Sequence, residues 1–375
     1  MSEIETFEIF LTVAPGLEAA LLSEVRAAGF QQPKSVPGGV TIQGGWADVW
    51  RANLQLRGAA RVLARIGSFR AFHLAQLDKR ARKFPWGDVL RKDVPLRVET
   101  VTNKKSKIYH AGAATQRVEK ALVESFGATL SKEASLVLKL RIDDNNCQFS
   151  VDTSGEGLHK RGHKSAVGKA PMRETLAALF LRECGYDGTE PVVDPMCGSG
   201  TFVIEAAEIA QGLLAGRSRS FAFEDLANFD AEAFNALRLE LDQSGGLAAG
   251  PRFYGSDRNA GAVEMAAANA ERAGVQEVTS FVQRAVSDLE RPEGPPGLVI
   301  VNPPYGARIG NKKLLFALYG ALGQVLRERF SGWRVGIVTS DNALAKATAL
   351  PFLPVGAPVA HGGLKIRLFK TDPLP

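Results

Sequence analysis

The chain has 375 residues, 45% of them hydrophobic, and a mean hydropathy of -0.05, which suits two or three soluble domains and no membrane span. Its three cysteines, Cys147, Cys184 and Cys197, are far apart and form no C-x-x-C pair, so neither a disulfide framework nor a structural zinc site is expected, and a reducing cytoplasm is the compartment implied. The net charge of +6 is uneven: residues 51–110 hold 15 basic and 4 acidic side chains, a balance that attracts polyanions, whereas the second half is slightly acidic.

The acidic start, Met1–Glu5, does not read as a secretion signal. Phe7–Val13 reads as a strand broken by Pro15–Gly16. Leu17–Ala28 has helical apolar spacing and ends before Gly29. A short strand at Val40–Gln43 and a helix at Trp46–Leu54 follow. Next come a strand at Leu63–Phe69 and a basic helix at Leu74–Phe84 that stops near Pro85. A strand at Leu96–Val101, a helix at Ala111–Phe126 and strands at Leu136–Asp143 and Cys147–Asp152 complete this half. Asp144–Asn145–Asn146 suits the hairpin turn between the last two. This half is therefore α+β with local antiparallel pairing. Thr153–Lys169 is polar, Gly-rich and without apolar period, which predicts a linker, and His159 and His163 read as polar linker residues rather than catalysts.

From Pro171 the pattern changes. A helix at Arg173–Arg182 precedes alternating strands and helices: Val192–Asp194, Thr201–Gln211, Phe253–Asp257, Ala260–Ala273, Thr279–Gln283, Leu298–Asn302, Leu314–Phe330 and Arg334–Thr339. That alternation predicts an α/β fold with a doubly wound, mostly parallel, Rossmann-like sheet. Val355–Ala360 and Leu364–Lys370 around Gly362–Gly363 predict a terminal antiparallel hairpin. Leu213–Gly250 is a long insertion between the first two strands.

Two loops of this second half carry chemistry. The first, D-P-M-C-G-S-G-T at Asp194–Thr201, ends a buried strand and opens a helix. Glycines there let backbone approach a ligand closely. A nucleoside triphosphate would want Lys-Ser/Thr after the glycines, and a dinucleotide a third glycine where Val203 stands. S-adenosylmethionine needs only close approach plus acids for its hydroxyls and amines. Asp257, ending the next strand in Y-G-S-D, is placed for the ribose, and Asp288, after the third strand, for the adenine amino group. The cofactor-binding candidates are thus Asp194, Met196, Cys197, Gly198, Gly200, Thr201, Asp257 and Asp288.

The second loop is V-N-P-P-Y-G at Val301–Gly306. An aryl amine is a poor nucleophile, because its lone pair is delocalised into the ring. Acceptors aimed at its N–H groups draw that lone pair toward a methyl donor. The Asn302 side-chain oxygen and the Pro303 carbonyl can provide them, the two prolines stiffen the loop, and Tyr305 offers a face for an extruded base. The catalytic candidates are therefore Asn302, Pro303 and Tyr305.

These residues resemble those of the THUMP-domain class I RNA methyltransferases, above all the guanine-N2 methyltransferases of 23S rRNA and the N-terminal unit of the K/L-type large-subunit enzymes. The likeness is carried by V-D-T-S-G-E-G-L-H-K-R-G at Val151–Gly162, A-P-M-R-E-T-L-A-A at Ala170–Ala178, the two loops extended to Gly310, and S-G-W-R-V at Ser331–Val335. The resemblance implies a ferredoxin-like segment over 1–55, a THUMP RNA-binding domain over 56–155, a linker over 156–170 and a methyltransferase domain over 171–375. It also implies that the helix start at Arg173–Leu176 lies near the cofactor carboxylate. The implied activity is methyl transfer from S-adenosylmethionine to N2 of a guanine in structured RNA, most of all 23S rRNA or its large-subunit precursor. A tRNA guanine-N2 or a nucleic-acid adenine-N6 methyltransferase is the alternative, and a non-catalytic RNA-binding assembly factor is the reading from another class. Lys104, Lys105, Lys107, Lys160, Arg161 and Lys164 are the candidates for RNA contact. No metal, no membrane and no obligate protein partner is expected.

Overall fold

The computed structural model describes residues 6–163, 172–242, 252–306 and 312–375. They form two compact units. The first comprises Met1–Val13, Val25–Leu158 and Arg219–Leu241, and the second Ala14–Glu24, His159–Ser218 and Asp242–Pro375.

The elements of the first half are β1 (Phe7–Thr12), α1 (Glu18–Ala27), β2 (Gln31–Val36), β3 (Gly39–Gly44), α2 (Trp46–Gln55), β4 (Arg61–Arg70), α3 (Leu74–Ala81), β5 (Leu96–Thr102), α4 (Ala111–Ala121), β6 (Leu136–Asp143) and β7 (Asn146–Asp152). The order βαββαβ up to β4 is that of a ferredoxin-like segment. All seven strands share one sheet, ordered β2-β3-β1-β4-β7-β6-β5 and antiparallel except between β5 and β6. β4 pairs with β1 on one side and β7 on the other, so the expected boundary at 55/56 divides no sheet. At the β6–β7 turn Asp144 and Asn145 both have positive φ, 47° and 61°, which a two-residue hairpin demands and these two residue types tolerate.

The sequence reading missed β2. Its Q-Q-P-K-S-V has no apolar alternation, because this edge strand is exposed along most of its length. The basic helix is also shorter than expected and stops at Ala81.

The second half contains α5 (Glu174–Glu183), β8 (Val192–Asp194), α6 (Thr201–Ala210), α7 (Ala231–Leu241), β9 (Phe253–Asp257), α8 (Ala260–Ala273), β10 (Thr279–Gln283), β11 (Leu298–Val301), α9 (Lys312–Arg329), β12 (Arg334–Thr339), α10 (Asn342–Ala347), β13 (Val359–His361) and β14 (Leu364–Lys370). The sheet runs β10-β9-β8-β11-β12-β14-β13, parallel up to β12 and antiparallel thereafter. Every residue of β8 and β11 is buried, as helices on both faces require, and this explains their unbroken apolar runs. The terminal hairpin is present, though its first strand begins at Val359 rather than Val355.

Two expectations on domain organisation need correction. The insertion does not stay with 171–375, because residues 219–241 belong to the first unit. There Phe223, Phe229 and Phe234 surround Trp50 of α2 with ring centroids 5.8–6.3 Å away. The polar stretch after Asp152 is not a free linker either. Thr153, Ser154, Leu158, Arg161 and His163 are all buried. The rest of that stretch, with Lys164, lies outside the described residues.

Candidate active site

Strands β8, β9 and β11 are neighbours and parallel, so their C-terminal ends deliver Asp194, Asp257 and Asn302 to one edge of the sheet. Ligands of open α/β sheets bind at that edge.

The loop after β8 is a tight turn. The Cys197 amide donates to the Ser256 carbonyl at 2.9 Å, and the Gly200 amide to the Cys197 carbonyl at 2.8 Å. Gly198 and Gly200 both have positive φ, 52° and 83°. A side chain at Gly200 would press on Ala266, Ile204 and Phe281 at 3.1–3.2 Å, so this glycine serves packing. A side chain at Gly198 would meet nothing within 4 Å, so this glycine faces open space in which a ligand can approach the backbone.

Two carboxylates frame the turn. Asp257 Oδ2 accepts from the Gly198 amide at 3.1 Å and Oδ1 from the Asn259 amide at 2.9 Å. Each oxygen keeps a lone pair for a further donor. Asp194 is 2% exposed, and its Oδ1 accepts from the Met196 amide at 3.1 Å. Burial, opposed by that hydrogen bond and reinforced by the nearby Asp257 charge, raises its pKa to about 8. Met196 packs partly buried on the core beneath, and Thr201 is a buried first residue of α6. The Cys197 thiol is pushed well up by burial and is no nucleophile at neutral pH. Asp288 ends a short 3-10 turn after β10, exposed, with the Ser287 hydroxyl 3.2 Å from its Oδ1.

At the end of β11, Asn302 Oδ1 is buried and, among the described residues, accepts no hydrogen bond. Pro303 is buried, and Tyr305 packs half-buried against the core cluster of β11, β12 and α9. Burial raises the Tyr305 pKa, so its phenol stays neutral and presents an uncharged ring. The sequence reading overlooked Tyr319 beneath this loop. Its buried hydroxyl lies 3.4 Å from the Pro304 carbonyl oxygen and 3.1 Å from Thr339 Oγ1. In the sequence it is one more member of an apolar helical stripe, and nothing marks its hydroxyl.

The candidate RNA contacts divide. Lys104, Lys105 and Lys107 are exposed on the loop between β5 and α4. That loop's backbone is pinned, because Asn103 Oδ1 accepts from the Lys105 and Ser106 amides at 3.1 Å, and Asn145 Oδ1 from the Lys107 amide at 2.8 Å. Lys160 is exposed as well. Arg161 is not available: it is 2% exposed and pairs with the equally buried Glu205 of α6 at 3.0 Å. Its place in a run of basic residues hid this structural role.

A separate cavity of about 220 Å³ opens beside β9 and β10, lined by Val193, Tyr254, Ser256, Val282, Arg284 and Leu289 among others. Neither Asp194 nor Asn302 lines it, so the chemistry is not assigned there.

A seven-stranded sheet of this order, with a glycine turn after β8 and an acid at the end of each of the neighbouring strands β8 and β9, defines a class I methyltransferase whose cofactor is S-adenosylmethionine. The chain belongs to the RMKL-like methyltransferase domain family, which it matches over residues 161–351, and its residues 8–63 match the RlmL ferredoxin-like domain. It is 31% identical over 371 residues to a proposed RNA methyltransferase of Synechocystis sp., a match covering 97% of this chain and 96% of that protein. Two solved structures are similar along nearly the whole length. One is a proposed N6-adenine-specific DNA methylase from Listeria monocytogenes, with 30% identity, a TM-score of 0.86, and 99% and 97% of the two chains covered. The other is SMU.472, a proposed methyltransferase complexed with SAH, with 27% identity, a TM-score of 0.86, and 99% of each chain covered.

Proposed function

We propose that this S-adenosylmethionine-dependent methyltransferase modifies N2 of a guanine in structured RNA, most of all 23S rRNA or its precursor. The observation that carries the amine assignment is the buried Asn302 Oδ1, which accepts no hydrogen bond among the described residues. A buried acceptor without a donor costs about 1–3 kcal/mol, and an amino group placed beside it supplies the donor. Asn302 and the Pro303 carbonyl then hold the two N–H groups, and Tyr305 stacks on the ring. The cofactor supplies an electrophilic methyl group. The protein orients the amine's lone pair toward it and keeps water out, and no side-chain nucleophile is needed.

On this reading Asp194, Met196, Cys197, Gly198, Gly200 and Thr201 line the methionine end of the cofactor, Asp257 holds the ribose and Asp288 the adenine. The open space at Gly198 and the spare lone pairs of Asp257 fit that ligand. The exposed Lys104, Lys105 and Lys107, in a region with the role of a THUMP domain, bind RNA phosphates. RNA as the substrate is supported by the Synechocystis relative, described as an RNA methyltransferase. The Listeria relative, described as acting on N6 of adenine in DNA, favours the second reading, adenine-N6 transfer.

Mass spectrometry of nucleosides from a strain lacking the gene, against its parent, separates the two. Loss of N2-methylguanosine from 23S rRNA is expected. Loss from tRNA alone, or loss of an N6-methyladenine instead, contradicts the assignment.

A further inference from the structure

Asn269 is a fully buried polar side chain in the alanine-rich face of α8, beside Ala266, Ala270 and Ala273. No solvent reaches it, so its amide is there for protein partners. Its Nδ2 donates to the Ser199 carbonyl at 3.0 Å, in the middle of the glycine turn. Its Oδ1 accepts from Arg272 Nη2, one helical turn on. Arg272 Nε in turn donates to the His163 carbonyl at 2.9 Å. This chain of bonds joins the Arg161–His163 segment to the turn after β8.

The same segment is fastened to α6, the helix that the turn opens. Arg161 pairs with Glu205 at 3.0 Å, and His163 Nε2 lies 3.3 Å from Glu208 Oε1. Arg217 holds Glu208 at 2.6 Å and reaches the Ala273 carbonyl at the end of α8, also at 2.6 Å. The turn, α6, α8 and the 161–163 segment thus close one ring of polar contacts, buried at Asn269, Arg161, Glu205 and Glu208. An amide oriented by a guanidinium cannot exchange its donor and acceptor ends without breaking two bonds. The plane of the Ser199–Gly200 peptide is set in this way, and with it the direction of the Gly200 amide, which donates to the Cys197 carbonyl across the turn.

We propose that Asn269, oriented by Arg272, is a positioning residue for S-adenosylmethionine that holds the Gly198–Gly200 turn in its binding geometry. The inference rests on the assignment of that turn as the cofactor site. Asn269 touches no reacting atom and acts only through the Ser199 peptide.

The test is calorimetry of S-adenosylmethionine and S-adenosylhomocysteine with the full chain, on Asn269→Asp, Arg272→Ala and Asp257→Ala, together with amide hydrogen exchange. Asn269→Asp keeps an acceptor for Arg272 and loses the donor to Ser199. Its dissociation constant should rise about tenfold, the scale of one lost buried hydrogen bond, at full stoichiometry. Exchange should speed up at Gly198 and Gly200 and stay unchanged in β11 and β12. Arg272→Ala, at an exposed position that tolerates truncation more readily, should weaken binding several-fold in the same way. If Asp257→Ala binds as wild type, the cofactor assignment itself fails. If Asp257→Ala weakens binding while the other two keep wild-type affinity, the positioning role is overturned and the cofactor site stands. A lowered stoichiometry at unchanged affinity in both variants also overturns it, because that is the mark of a residue needed only for folding.

Discussion

Asn302 and Asp257 stand 45 residues apart, yet β11 and β9 flank the same strand, and the proposed function gives the two residues separable tasks. Asn302→Ala should lower methyl transfer by about a hundredfold or more, the cost of losing an acceptor aimed at developing charge, with cofactor affinity nearly intact. Asp257→Ala should raise the S-adenosylmethionine dissociation constant at least about tenfold, because it loses the proposed ribose contact and also releases the Gly198 amide. Isothermal titration of both variants distinguishes the roles. Asp194 adds a pH dependence. Its native pKa lies above the unfolded value, so between about 4 and about 8 the native state holds a proton that the unfolded chain has lost. Its contribution to stability is therefore fullest at low pH and is lost as pH rises toward 8. A cationic ligand beside Asp194 favours the carboxylate and expels that proton. Cofactor affinity should then increase from about pH 6 to about pH 8, with proton release detected by calorimetry in buffers of different ionisation heat. Binding without proton release at neutral pH would place Asp194 away from any cationic group.

Among the elements, those with a clean period were legible in the sequence. The buried runs at Val192–Asp194 and Leu298–Val301, the helix at Ala260–Ala273 and the Asp-Asn hairpin turn all stand where the pattern places them. The elements that escaped lack such a signal. Edge strand β2 is polar because both its faces are largely exposed, and α7 lies in an insertion whose apolar residues serve a different unit from their sequence neighbours. The 153–163 stretch reads as solvated although Arg161 and His163 are buried against Glu205 and Glu208, which no one-dimensional pattern reveals. The site divides in the same way. Asp194, Gly198 and Asp257 meet as their spacing suggests, whereas the Asn269 and Tyr319 contacts depend on helix rotation. The segment at 159–163 makes a test at this scale. Arg161→Ala leaves Glu205 without its guanidinium in a buried site and should cost about 3–5 kcal/mol of stability, whereas Lys160→Ala next to it should be neutral within about 0.5 kcal/mol. Equal denaturation midpoints for the two variants would show that the ion pair is not structural.

For the whole molecule, the proposed function assigns substrate holding to the basic region and chemistry to the second unit. The excess of basic residues lies in 51–110, and Lys104, Lys105 and Lys107 project from a loop whose backbone is fixed by Asn103 and Asn145. Reversing these three charges should weaken RNA binding and flatten its dependence on salt, because fewer counterions are released, while cofactor affinity stays the same. An unchanged salt slope would mean that the loop is only a solvated surface. The proposed reaction methylates a guanine amino group held against Asn302. The most direct measurement supplies labelled S-adenosylmethionine and rRNA from a strain lacking the gene to the wild-type protein and to Asn302→Ala. Label in N2-methylguanosine is expected with the wild type, and at least about a hundredfold less with the variant at matched cofactor occupancy. Equal transfer by both proteins, or label in another nucleoside, would contradict it.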